Sequence, residues 1–479
     1  MKANTWHSPS ALTDCLALVL LCAGLWECGL GWAQLTGLAH SLHRLYPATG
    51  SFYNPGPYCG FLAMLLPVAL HYVARRREGL AHWFGLIYLI PALALMPVLM
   101  GRTGWVAGAV GCFITLSCAG KIPRLSRRSV VVIAVLGVCT LAFLVYLKPA
   151  SALGRLLMWF NGASAALEHP LTGVGWDYVA GALGNAQEAY FHSHPGSVFE
   201  SVSGAPEYAF NEYLQIAIAF GLPAMLLFAG LLLWAGVSAW RGRSGGVAGG
   251  VAVFAIVCFS SYPLQFPEFI ASAGALVIAG VLAGSKSWRP VSIMVCVAVA
   301  VVAVMAARGR SHRLSAEGDW VRQRHICASG LDDRSIARLD SMSATWSHSA
   351  KFLFDYGKAL REAGLFVRSN EILQRGVRVS SDPMFLNLIG RNYQSLGVYD
   401  EAERYFLRSI DRLPGRIYPR YLLALLYADP GVADRKHFDE AYGRVAAMQP
   451  KVMSPAIKEM RSELEAIRDS LDQLRDSRD

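Results

Sequence analysis

"RPVSIMVCVAVAVVAVMAARGRSHRLSAEGDW", residues 289–320, changes character in its middle. From Val291 to Ala307 it is apolar and carries no charge. With its flanks it reaches bilayer-spanning length, which takes about 20 residues. From Arg308 onward it is charged and helix-forming. This switch divides the chain into an apolar part, 1–307, and an ordinary charged part, 308–479. The whole chain is 54% hydrophobic and only 16% charged, where a soluble domain carries about 25% charge.

Working backward from Ala307, about nine apolar runs of spanning length follow one another. They cover approximately 11–32, 57–74, 80–99, 103–120, 129–147, 209–239, 246–262, 266–284 and 288–307. The first has Lys2 ahead of it and further spans after it, so it reads as an uncleaved membrane helix. The expected fold is all-α: a polytopic transmembrane helix bundle followed by a helical solenoid.

Basic loops orient this bundle. Arg75-Arg76-Arg77, "KIPRLSRR" (121–128), "RGR" (241–243) and "SKSWR" (285–289) follow alternate spans. The positive-inside rule puts them, and the N-terminus, in the cytoplasm. "ATGSFYNPGP" (48–57), "MGRTG" (100–104), the long segment 148–208, "SYPLQFPEF" (261–269) and all that follows 307 then face outward. Much of the net charge of +10 lies in these short loops and reports membrane orientation, so no nucleic-acid partner is expected. The ten cysteines contain no CxxC pair and most lie in apolar runs, as small buried side chains do. They indicate neither a disulfide framework nor a zinc site.

Beyond 307 the chain repeats itself. "GRNYQSLGVYDEAERYFLRSIDRLP" (390–414) follows "GLFVRSNEILQRGVRVSSDP" (364–383), with Gly364 and Gly397 33 residues apart. A looser copy ends in "FDEAYGRVAAMQP" (438–450). The pattern resembles the tetratricopeptide repeat, a helix pair of about 34 residues. Residues 455–479 read as a charged capping helix.

Ionisable groups at a membrane boundary are costly and point to function. Arg102 sits in a short outward turn. Arg155 lies with Trp159 and Leu167 on one side of an amphipathic helix that Pro170 ends. Tyr208, Asn211, Glu212 and Gln215 cluster where a polar run enters the sixth span. Each has a plainer role: interfacial anchoring for the arginines, helix capping for Asn211 and Glu212. Asn54 before Pro55 is turn chemistry, with a glycan contact as the secondary reading.

Taken in order, "GSFYNP", "GRTGW", "RLLMWFNGASAALEHPLTGVGWDYV", "FNEYLQIAIAFGLPAM" and "SYPLQF" resemble the O-antigen ligase and polymerase superfamily, which includes bacterial protein O-oligosaccharyltransferases. The similarity spans about residues 45–270, and "HPLTGVG" is its most specific piece. Members usually have a dozen or so spans, and some carry an outward tetratricopeptide domain. The resemblance implies an inner-membrane glycosyltransferase. Glycan passes from a polyprenyl diphosphate donor to an acceptor hydroxyl of a glycan, lipid or protein on the periplasmic face. It requires no nucleotide sugar, metal or other cofactor. By position, Arg102 and Arg155 match the family arginines, and a planar guanidinium suits a diphosphate.

One position departs from the family. Phe210 stands where the ligases carry a histidine that activates the acceptor hydroxyl. Glu212, His192, His194 or Glu207 can replace it, the diphosphate leaving group can make activation less important, or the protein is inactive. The last alternative is a membrane scaffold whose repeat domain holds a protein partner. A transporter or flippase is a third reading; Glu27 is the main ionisable residue within the spans and no inverted repeat is visible.

Overall fold

In the computed structural model, which describes residues 11–75, 80–122, 126, 128, 131, 135, 137, 146, 149–284, 289–327, 332–343, 345–450 and 453–476, no described residue lies in a strand. In chain order the helices are α1 (Ala11–Leu35), α2 (Pro55–Arg75), α3 (Leu80–Leu99), α4 (Arg102–Cys118), α5 (Pro149–Glu168), α6 (Val179–Ser193), α7 (Glu212–Phe220), α8 (Leu222–Arg241), α9 (Gly245–Ser260) and α10 (Pro267–Gly284). They continue as α11 (Arg289–Gln323), α12 (Asp333–Ser343), α13 (Ala350–Glu362), α14 (Phe366–Val379), α15 (Met384–Ser395), α16 (Tyr399–Arg412), α17 (Tyr418–Ala428), α18 (Arg435–Ala447) and α19 (Pro455–Asp476). Two compact units result, one of Met1–Lys148, Phe210–Tyr213 and Pro223–Leu314, the other of Pro149–Ala209, Leu214–Leu222 and Ser315–Asp479.

The first unit is a bundle built around α2, which packs against α3, α4 and α9. Its centre is aromatic: Phe52, Phe61 and Phe269 are fully buried and their rings meet at 5.1–6.3 Å. Small residues set the closest helix contact. A Cβ on Gly249 of α9 would lie 2.4 Å from the Gly111 carbonyl oxygen of α4. Thr115 Oγ1 then donates across the contact to the Gly245 carbonyl at 3.0 Å. Close backbone approach is how helices associate where lipid supplies no hydrophobic drive.

Among the described residues, six helices are long and apolar enough to cross a membrane: α1, α2, α3, α8, α10 and α11. The apolar α4 and α9, 17 and 16 residues long, are shorter. The expected span over 129–147 lies outside the described residues apart from 131, 135, 137 and 146. Ile293, Met294, Val297, Val301 and Val302 of α11 are exposed. So large an exposed apolar surface fits a lipid environment, and the chain is a multi-pass membrane protein.

The expected sixth span, 209–239, is two helices. Gly221 (φ +85°) separates α7 from α8. Tertiary contacts cause the break. The N–H groups of Val174 and Gly175 bond the Ile218 and Ala219 carbonyls, both at 2.9 Å, and the Leu222 N–H bonds the Pro170 carbonyl at 2.7 Å. A Cβ on Gly173 would lie 2.3 Å from the Ala219 carbonyl carbon. The "HPLTGVG" turn therefore docks on the end of α7, and its glycines make that approach sterically allowed.

In the second unit α13–α18 pack consecutively, each against the next. Gly364 and Gly397, at φ +77° and +73°, make the turns inside the first two pairs. Gly357 and Gly390, again 33 apart, lie beneath Leu373 and Phe406, where a Cβ would sit 2.5 Å from either side chain. The fully buried Ala424 is the small residue of the third pair. Helix α19 packs on α17 and α18 and buries Leu464 there.

Candidate functional site

Four of the expected residues gather at one end of the first unit. Asn54 and Pro55 start α2, and Asn54 Oδ1 accepts the Gly56 N–H at 2.9 Å, the turn role expected of it. The Cys59 thiol in the first turn of α2 bonds the Gly101 carbonyl at 3.4 Å, so Arg102, which opens α4, lies at the same end. Ser260, the last residue of α9, donates to Thr103 Oγ1 at 3.0 Å. Beyond Ser260, Tyr262 packs edge-on against Phe210 at 4.8 Å. The Leu264 N–H donates to Glu212 Oε1 at 2.7 Å. Asn211 Oδ1 accepts the Tyr213 N–H at 3.0 Å, a capping bond.

Glu212 is 1% exposed. Its second carboxyl oxygen, Oε2, is buried with no hydrogen-bond partner. Burial pushes the carboxyl up to about 8, against the lowering effect of the Leu264 N–H. The residue lies ahead of the candidate span α8. A buried carboxyl that titrates near neutrality can take or give a proton.

Backbone strain marks the same end. Tyr53, Met100 and Phe210 have φ of 55°, 49° and 50°. Each non-glycine residue in this left-handed region costs about 1–2 kcal/mol. Tyr53 directly precedes Asn54, Phe210 precedes Asn211 and Glu212, and Met100 lies two residues before Arg102.

Sequence reading missed three contributors here. Glu27 of α1 accepts the Ser51 hydroxyl at 2.8 Å and the Ser51 N–H at 3.1 Å. Gln34, two turns on, accepts the N–H groups of Thr49 and Gly50, both at 2.9 Å. Together they hold the strand of chain that leads into Asn54. The ionisable Glu27 inside an apolar run was the signal. Arg310 donates to the Gln265 carbonyl at 2.9 Å and adds a guanidinium to this end.

The remaining expected residues belong to the second unit. Arg155 is half-buried on α5, which packs against α6 and the turn 198–202. His192 is exposed and bonds Asp411 at 2.9 Å. His194 is exposed, stacks on Tyr190 at 4.7 Å, and its Nδ1 lies 3.0 Å from that residue's carbonyl. Tyr208 is half-buried. Gln215 is buried and accepts the Ala209 N–H at 2.9 Å. Among the described residues, no group of three or more His, Cys, Asp or Glu is placed to hold a metal ion.

A comparison with curated proteins found no match. Residues 53–229 match the family model described as O-Antigen ligase. The matched stretch contains Asn54, Arg102, Arg155, His192, His194, Tyr208, Asn211, Glu212 and Gln215. Over that stretch the chain is similar to the O-antigen ligase family.

Proposed function

We propose that the protein is an inner-membrane glycosyltransferase that moves a glycan from polyprenyl diphosphate to an acceptor hydroxyl on the periplasmic face. The family match over 53–229 carries this reading, because it encloses both arginines and the Glu212 segment. The orientation given by the basic loops puts the N-terminus in the cytoplasm and residues 308–479, read as a tetratricopeptide-like domain, in the periplasm.

In this reading Glu212 is the base. Its unpartnered Oε2 takes the acceptor's proton as the acceptor oxygen bonds the anomeric carbon. The bond from that carbon to the diphosphate oxygen breaks, and the lipid diphosphate leaves with both electrons. Arg102 and Arg155 neutralise the negative charge that grows on it. Glu212 is favoured over His192 and His194 because both histidines are exposed and already engaged, with Asp411 and Tyr190. A base titrating near the working pH is the efficient one, and the buried carboxyl meets that condition. Phe210 contributes packing against Tyr262 in place of proton transfer.

Transfer from a polyprenyl diphosphate glycan, measured with purified protein, is the test. Glu212→Gln should lose about 10²–10⁴-fold in rate, while His192→Ala should stay within a few fold of the parent. Full activity in Glu212→Gln would remove it as the base. No transfer by the parent protein to glycan, lipid or protein acceptors would favour the scaffold reading.

A further inference from the structure

Helix α6 shows one face to the repeat helices. Gly181, Gly184 and Glu188 recur at helical spacing along it. A Cβ on Gly181 would lie 2.0 Å from the Arg378 carbonyl oxygen, and one on Gly184 would lie 2.8 Å from Ser381 Cα. The backbone of α6 therefore touches the end of α14 directly, which only glycine permits. Four residues further on, Glu188 takes Arg412 at 2.8 Å and Arg408 at 2.6 Å. Arg412 is fully buried. Gln187 Nε2 donates to the Arg412 carbonyl at 2.6 Å, and His192 meets Asp411. Helix α5 packs in turn on α6, with Phe160 edge-on to Tyr190 at 5.3 Å.

We infer that the repeat stack is the base that holds the outward segment in place, with Glu188 and Arg412 as positioning residues for the α5–α6 pair that carries Arg155. The faces of α14 and α16 are thus occupied by the chain's own helix. A buried ion pair of this kind fixes register, since removing either partner strands a charge. The effect on catalysis rests on the proposed glycan transfer; the docking itself does not.

The test uses the full-length protein in lipid nanodiscs. Gly181→Val and Arg412→Ala should each speed hydrogen exchange across 179–209 by at least tenfold while residues 384–447 stay protected. kcat for transfer should fall at least tenfold, because Arg155 acts on charge that grows in the transition state, with donor KM changing less than threefold. Ala189→Val, on the exposed side of α6, should change neither. Unchanged exchange in both Gly181→Val and Arg412→Ala would overturn the inference. Exchange is read without any substrate, so it decides the docking even if the protein transfers no glycan.

Discussion

Glu212 and Leu264 are joined by a 2.7 Å hydrogen bond from the Leu264 N–H to Oε1, and Oε2 of the same carboxyl is buried and unpartnered. One oxygen is held still and the other has no hydrogen-bond partner. Activity should therefore rise with pH as the carboxyl ionises around pH 8. A rate profile for the parent protein measures this. The ascending limb should vanish in Glu212→Gln, leaving a low rate that varies little with pH.

The same carboxyl links pH to stability. Burial raises its value in the fold to about 8 from 4.5, so the folded state favours the protonated form. Its stabilising contribution is full below about pH 4.5 and is lost as pH rises through about 8. Glu212→Gln lacks that loss. Thermal unfolding from pH 5 to pH 9 should show the variant's Tm climbing relative to the parent's. A constant difference would mean that the carboxyl is ionised in the fold throughout.

Arg102→Ala and Arg155→Ala should each reduce transfer by about 10²-fold or more, as loss of a charge-stabilising donor does, with membrane insertion unchanged. Lysine at either position should recover only part of the rate, because it lacks the planar fork. Initial rates on the lipid-linked donor decide this; normal transfer by both alanine variants would remove the diphosphate role.

Phe210 holds φ at +50° while its ring packs on Tyr262. Phe210→Ala loses the ring contact and keeps the strain. Phe210→Gly loses the contact but relieves the strain, so it should be more stable than alanine by about 1 kcal/mol. Glycine usually ranks below alanine, and chemical denaturation of the two variants shows whether the order inverts here.

Gly249 admits no side chain against the Gly111 carbonyl. Gly249→Val should separate α4 from α9 and lower the protein's Tm, whereas Gly230→Val, with open space around its Cβ position, should leave it unchanged.

The repeat turns were legible because a 33-residue spacing of glycines survives in the sequence, and both glycines make the left-handed turns such helix pairs require. Six of the apolar runs gave helices of membrane-spanning length among the described residues for an equally local reason, their length and hydropathy. The break at Gly221 was not legible. The run 209–239 is apolar throughout its later part, and the helix stops because the turn at 170–175, remote in sequence, takes its backbone bonds.

The sequence by itself determined the apolar stretch 1–307, the charged stretch 308–479 and the 33-residue spacing of Gly364 and Gly397. It could name Glu212, His192 and His194 as bases but could not rank them, since burial and partners belong to no single segment. Tertiary structure decided that Glu212 is buried with one oxygen unpartnered, and that both histidines are exposed and engaged. It also brought Glu188 to Arg412 across more than two hundred residues of chain. Buried charges find their partners by packing, and packing is written in contacts that sequence separation conceals.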